Sequence, residues 1–355
     1  MVKDLNSNQI LSENLAYDHF NPHDAVRIMT FYTALRLSAG KTEEQMKLPE
    51  NALEGEKELK SEGRIISGVD PKDEPHIEEL FRLAATVGAD DACVLLAIKT
   101  AGSVQAFVKA MNEQAVRLSM KHSRFTYPIA MPDQTTNAED MLALIRALRE
   151  EFPEESLYFS EEEFAFNGKT LKNPLALITP DDKSLSPLSL TKCCTFAGRW
   201  TRAEDKELPE RELIFIFADP EGKQRIASKS PSVITACQAD FESIELYEAG
   251  EIVGKIPVFE GQQPSVDVAA ASSMRITLPR KRLIESGTLG MTLQIDHPRE
   301  LSAPISKGMP AGKLKIFIDG LLAAQYEVVT AADVNRQNFF ERVIPNKRNK
   351  DQAND

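Results

Sequence analysis

Apolar residues recur at helical spacing through Val26, Ile28, Met29, Phe31, Leu35 and Leu37, a pattern that predicts an amphipathic helix from Asp24 to about Ala39. Pro22 sets up its entry, Asp24 suits its first turn and Gly40 ends it. Three more helical patterns cover about 76–87, 91–101 and 103–120. Gly102 breaks the second from the third, and Ser103 caps the start of the third. Another helix begins at Asn137 and stops near Glu151, before Pro153.

Strand patterns occupy the rest. Residues 1 to about 14 read as a hairpin turning at Asn6-Ser7-Asn8. Between Lys41 and Glu79 the chain is highly charged and broken by Pro49, Gly55, Gly63, Gly68, Pro71 and Pro75, which predicts an irregular excursion with short strands. Phe164 to Gly168 reads as a strand entering a turn, Ser189 to Thr195 as a strand, and Arg211 to Ala218 as a buried central strand. From about Phe241 onward the pattern changes. Ser243–Tyr247, Ile252–Ile256, Met274–Leu278, Met291–Ile295 and Lys313–Ile318 alternate polar and apolar between Gly- and Pro-bearing turns, as the strands of a small all-β sandwich do. The expected organisation is a first domain over 1–238, a β-sandwich over 239–333 and a polar, disordered tail over 334–355.

Composition narrows the function classes. The chain has 355 residues, 42% of them hydrophobic, which suffices for real cores. A net charge of -12 argues against nucleic acid, whose phosphates call for surplus Lys and Arg. Apolar runs such as Ala92–Ile98 and Leu213–Ala218 fall far short of the roughly 18–20 residues of a membrane span, so no transmembrane segment is expected. Residues 1–8 show no secretory signal pattern. Cys93, Cys193, Cys194 and Cys237 lack metal-ligand spacing. Cys93, inside Ala92–Leu96, reads as a small buried hydrophobe; Cys193 and Cys194 are either plain reduced thiols or redox or nucleophilic groups. Glu150-Glu151 and Glu161-Glu162-Glu163 read as solvated surface, and no metal or cofactor is expected.

With these landmarks placed, the chain resembles the low-molecular-mass penicillin-binding proteins, the serine-type D-alanyl-D-alanine carboxypeptidases. The resemblance rests on Asp4-Leu5-Asn6-Ser7, Asn21-Pro22 with Met29-Thr30, Gly40-Lys41, Asp91-Ala92-Cys93-Val94, Gly102-Ser103, Met111-Asn112, Asp140-Met141 and Phe166-Asn167-Gly168. In the second domain it rests on Ala303-Pro304-Ile305, Lys307-Gly308, Gly312-Lys313-Leu314 and Asp319-Gly320. It implies an α+β fold: a β-lactamase-like domain, with an antiparallel sheet flanked by helices, followed by a small all-β sandwich. It also implies a periplasmic location and peptidoglycan peptide as substrate; a native start at Met1 would instead mean a cytoplasmic protein.

The family works through an S-x-x-K motif, an S-x-N-like triplet and K-T-G. Serine and lysine one helical turn apart share a face, so a neutral lysine amine can take the hydroxyl proton and make the serine nucleophilic. In this chain the first motif falls on Asp24-Ala25-Val26-Arg27. Aspartate is no replacement for that serine, and a guanidinium with pKa above about 12 cannot serve as the base. What remains is an i, i+3 ion pair, which on a solvated surface would be worth about 0–1 kcal/mol. The second motif falls on Gly88-Ala89-Asp90, without hydroxyl or amide. The third falls near Thr191-Lys192-Cys193; either Lys192 is the motif lysine, with Cys193 and Cys194 in place of threonine and glycine, or the lysine is lost as well.

No catalytic residue is therefore expected, and the binding candidates are Lys192, Arg27 and Asp24. The groove should bring Asp24, Arg27, Asp90 and Lys192 together. The expected function is that of an inactive relative, a binding or scaffold protein for a peptidoglycan peptide or a protein partner. The alternatives are a hydrolase repurposed around Cys193 or Cys194 and a weakly active serine-type carboxypeptidase. Of the histidines at 19, 23, 76, 122 and 297, only His23 adjoins the motif in sequence, either as a base or as a solvent-facing turn residue.

Overall fold

The computed structural model describes all residues except 42–45, 62, 174–184, 191–192, 201–210, 220, 286–289 and 339–355. For 185–190, 193–200, 223 and 283–285 it describes the backbone alone. The chain forms two compact units. One comprises Met1–Lys3, Ile10–Trp200 and Glu212–Gln238; the other comprises Asp4–Gln9, Thr201–Arg211 and Ala239–Asp355.

The chain opens with the expected hairpin, strands β1 (Val2–Asp4) and β2 (Gln9–Ser12). A 3-10 turn, His23–Ala25, then leads into helix α1 (Val26–Ser38). This helix is not amphipathic. Every residue from Val26 to Leu35 is buried, Arg27, Thr30 and Thr33 included. Thr30 Oγ1 donates to the carbonyl of Pro128 at 2.6 Å, so the polar positions on α1 are met inside the protein rather than by water. Phe31 packs edge-on against Phe81 and Phe159, each with ring centroids 5.0 Å away.

The excursion from 41 to 79 holds short 3-10 turns at Lys57–Lys60 and Pro71–Asp73, and no strand among its described residues. Its Pro and Gly spacing leaves no run long enough to enter a ladder. The helix expected over 76–87 divides into α2 (Ile77–Arg82) and a π-helical turn, Leu83–Val87, which Gly88 closes in the left-handed conformation at φ 76°. Helices α3 (Asp90–Ala101), α4 (Val104–Arg117) and α5 (Ala138–Glu151) follow the sequence reading closely, with Ser103 and Asn137 as side-chain caps. All three pack on α1.

A hairpin of β3 (Glu163–Phe166) and β4 (Lys169–Lys172) turns at Asn167-Gly168. The strand expected over Ser189–Thr195 is instead the junction of two, β5 (Leu185–Leu190) and β6 (Cys193–Trp200), paired antiparallel. After β7 (Arg211–Ala218) comes α6 (Lys223–Ala239), an element that the apolar pattern did not suggest. The five-stranded sheet runs β2-β1-β7-β6-β5. Val2, Leu213 and Phe215 on one side of it are covered by Ile226, Ile234 and Cys237 of α6.

The second unit contains β8 (Phe241–Tyr247), β9 (Ile252–Phe259), β10 (Ser265–Ala270), β11 (Met274–Pro279), the short helix α7 (Arg280–Glu285), β12 (Met291–Asp296), β13 (Leu301–Ser302), β14 (Pro310–Ile318) and β15 (Leu321–Thr330). A six-stranded sheet, ordered β12-β14-β15-β10-β9-β13, faces the β11-β8 pair. Ile276 and Leu278 of β11 meet Ile316 and Ile318 of β14 between the two layers. Val334 and Arg336 extend the pairing through bridges to Ile305 and Gly261, and the expected tail beyond 338 lies outside the described residues.

Candidate functional site

The turn before α1 is shaped by Asn21, whose side-chain oxygen accepts from the His23 amide at 2.7 Å while its Nδ2 donates to Met131 O at 2.7 Å. His23 takes a left-handed backbone at φ 45°. This fixes the 3-10 turn that carries Asp24, and the turn lies beside β5 and β6. Lys192, which directly precedes β6, lies outside the described residues, and of Cys193 and Cys194 only the backbone positions are described.

One helical turn past Asp24, Arg27 Nη2 lies 3.4 Å from Asp24 Oδ2 and its Nε donates to Asp24 O at 3.2 Å. The pair does not lie on a solvated surface: the Arg27 side chain is only 7% exposed and that of Asp24 26%. Its guanidinium rests over the Cα of Gly88: a Cβ placed there would overlap Nη1 outright and lie 3.0 Å from Cζ. Gly88 is thus required twice, by its positive φ and by the cation above it.

Asp90 completes the cluster. Its carboxylate stands 3.7 Å from Arg64 Nη1. Burial pushes the Asp90 carboxyl above the ordinary carboxylate range, against the opposing pull of Arg27 and Arg64 and with a small push from Asp24. The cluster therefore holds Asp24 and Asp90 against Arg27 and Arg64, balanced in sign. Arg64 was not singled out in the sequence. It sits in the irregular excursion, held by its own bonds to Glu58 O at 3.2 Å and Ala130 O at 2.8 Å, and no local pattern marks it.

Beneath the cluster lies Cys93, fully buried. Desolvation, reinforced by the Asp90 charge, pushes its thiol far above the usual range, so it is a packing residue and not a nucleophile. The neighbouring Asp91 has a positional task. Its two oxygens accept from Ser67 N at 3.0 Å and Gly68 N at 2.9 Å, and the Asp90 amide donates to Ile65 O at 2.7 Å. These bonds tie the middle of the excursion to the start of α3. A cavity of about 380 Å³ in the same unit, bordered by Leu15, His19, His23, Ile216 and Asp219 among others, does not include Asp24 or Arg27. Among the described residues no three His, Cys, Asp or Glu side chains converge as metal ligands, and no single helix is long and apolar enough to cross a membrane.

The arrangement can store and balance charge. Among its described residues it offers no hydroxyl paired with a neutral amine.

The family model described as D-alanyl-D-alanine carboxypeptidase matches residues 1–198, and that of the penicillin-binding protein 5 C-terminal domain matches residues 241–336. Curated relatives include the D-alanyl-D-alanine carboxypeptidases DacC and DacA of Escherichia coli. DacC is 24% identical over 97% of this chain and 85% of its own, and DacA is 25% identical over 96% and 84%. Among solved structures, penicillin-binding protein 5 of Haemophilus influenzae superposes with a TM-score of 0.68 at 23% identity, covering 94% of this chain and 96% of that one. A Streptococcus pneumoniae structure described as a peptidoglycan synthesis regulatory factor gives 0.69 at 15% identity, covering 94% and 98%. These likenesses establish the two-part α+β fold.

Proposed function

Because the chain belongs to the D-alanyl-D-alanine carboxypeptidase family, we propose that it is a member that has lost the family's hydrolysis and retains its scaffold to bind a peptidoglycan peptide. The observation that carries this reading is the buried Arg27 guanidinium seated on Gly88 and paired with Asp24. Acyl transfer needs a hydroxyl made nucleophilic by a neighbouring base. Asp24 supplies a carboxylate where the hydroxyl would stand, and Arg27 remains protonated where the base would stand. Gly88, in place of the second motif's serine, cannot regain a side chain without displacing Arg27. The positions support one another as a stable, inert set. The relatives are named as carboxypeptidases of D-alanyl-D-alanine, which makes a peptide ending in that pair the natural ligand to try.

Calorimetric titration of the full chain with a peptide ending in D-alanyl-D-alanine, with free D-alanine assayed in the same samples, tests the reading. Saturable binding without release of D-alanine is expected. Catalytic release of D-alanine would overturn it.

A further inference from the structure

His19, just ahead of the Asn21 turn, and His122, in the turn after α4, meet at the surface although 103 residues apart. The Nε2 of His19 lies 3.3 Å from the Nδ1 of His122, and the ring centroids are 5.2 Å apart with planes inclined by 46°. Two nitrogens each about 2.0–2.1 Å from one tetrahedral zinc ion stand about 3.3 Å apart, and imidazoles aimed at that ion have centroids about 5.2 Å apart. A straight N–H···N hydrogen bond with the same nitrogen separation would put the centroids about 5.6 Å apart. Both spacings match those of two imidazoles sharing one such ion.

The backbone on each side is fixed before any ion arrives. Phe20, next to His19, exchanges two hydrogen bonds with Thr136, both 2.9 Å. The amide of His122 donates to Asp140 Oδ2 at 2.8 Å. Thr136 and Asp140 flank the Asn137 cap of α5, so both histidines hang from the same helix start. Ligands held in place this way lose little freedom on binding.

We propose that His19 and His122 form a bidentate site for a divalent transition metal ion of the zinc, nickel and copper class, with the remaining coordination positions open to water. Imidazole nitrogens suit that class and not the oxygen-seeking Mg²⁺ or Ca²⁺. The sequence gives no sign of the pair because its members, 103 residues apart, are brought together only by the fold. With two protein ligands the site is an exchangeable one, not a structural zinc centre.

Titration of the full chain with Ni²⁺ and with Zn²⁺ by calorimetry tests the proposal. One-to-one saturation is expected for both and none for Mg²⁺. His19→Ala and His122→Ala should each weaken binding at least about tenfold, and the double substitution little further, since losing either imidazole already abolishes the chelate. Both side chains are exposed, so these variants should fold. A Cys193→Ala, Cys194→Ala chain should bind as the unaltered one does. Absence of saturable binding, or undiminished binding in either histidine variant, would overturn the proposal; the first result would leave an ordinary His–His hydrogen bond.

Discussion

Arg27 and Gly88 are coupled as a pair of residues, each making room for the other. Gly88→Ala should destabilise the protein by about 2 kcal/mol or more, since a left-handed backbone costs an L-residue roughly 1–2 kcal/mol and the new Cβ also displaces a buried guanidinium. In an Arg27→Ala background the same change should cost only the backbone part. Chemical denaturation of the four chains of this cycle checks the coupling, and additive effects would contradict it. Asp90 has the opposite character. Its folded-state pKa is raised, so its contribution to stability is greatest below the unfolded carboxylate pKa and is lost as pH rises through the folded value. The stability of the unaltered chain relative to Asp90→Asn is therefore expected to rise as the pH falls through the carboxylate range. Melting curves of both chains across that range measure it.

Among elements, those most legible in the sequence were the ones with a cap and a period: α3, α4 and α5 lie within a few residues of expectation because Gly102, Ser103 and Asn137 mark their ends. Helix α1 was placed correctly and misjudged in character. Its polar residues Thr30 and Thr33 look like a solvent face in the sequence, yet they are satisfied by Pro128 O and Met29 Sδ within the core. Helix α6 was missed because Pro231 among Ser228, Ser230 and Ser232 reads as a break, while its core-facing residues Ile226, Ile234 and Cys237 are sparse. Strands β10 and β15 were missed as well, for their small and polar residues blur the alternation. At the site, the likeness to the family's motifs pointed to Asp24, Arg27, Gly88 and Asp90, which the fold does bring together. Arg64 could not be read, since only the path of the excursion carries it to Asp90. That path depends on α3. Asp91→Ala, which removes the acceptor for the Ser67 and Gly68 amides, should cost about 1–3 kcal/mol and increase hydrogen exchange over 65–69; unchanged exchange there would contradict the role given to Asp91.

For the whole molecule, both family models fall on the chain in the family's order, and the α+β unit and β-sandwich unit are each recognisable; the proposal is that the residues that would perform the chemistry are replaced. The direct measurement is the intact mass of the full chain after incubation with a penicillin. In a working relative a serine oxygen attacks the β-lactam carbonyl, the ring C–N bond opens, the nitrogen takes the proton and the protein gains the mass of the drug. For this chain the expected result is an unshifted mass. A stoichiometric adduct would contradict the account, and the peptide that carried it would identify the nucleophile.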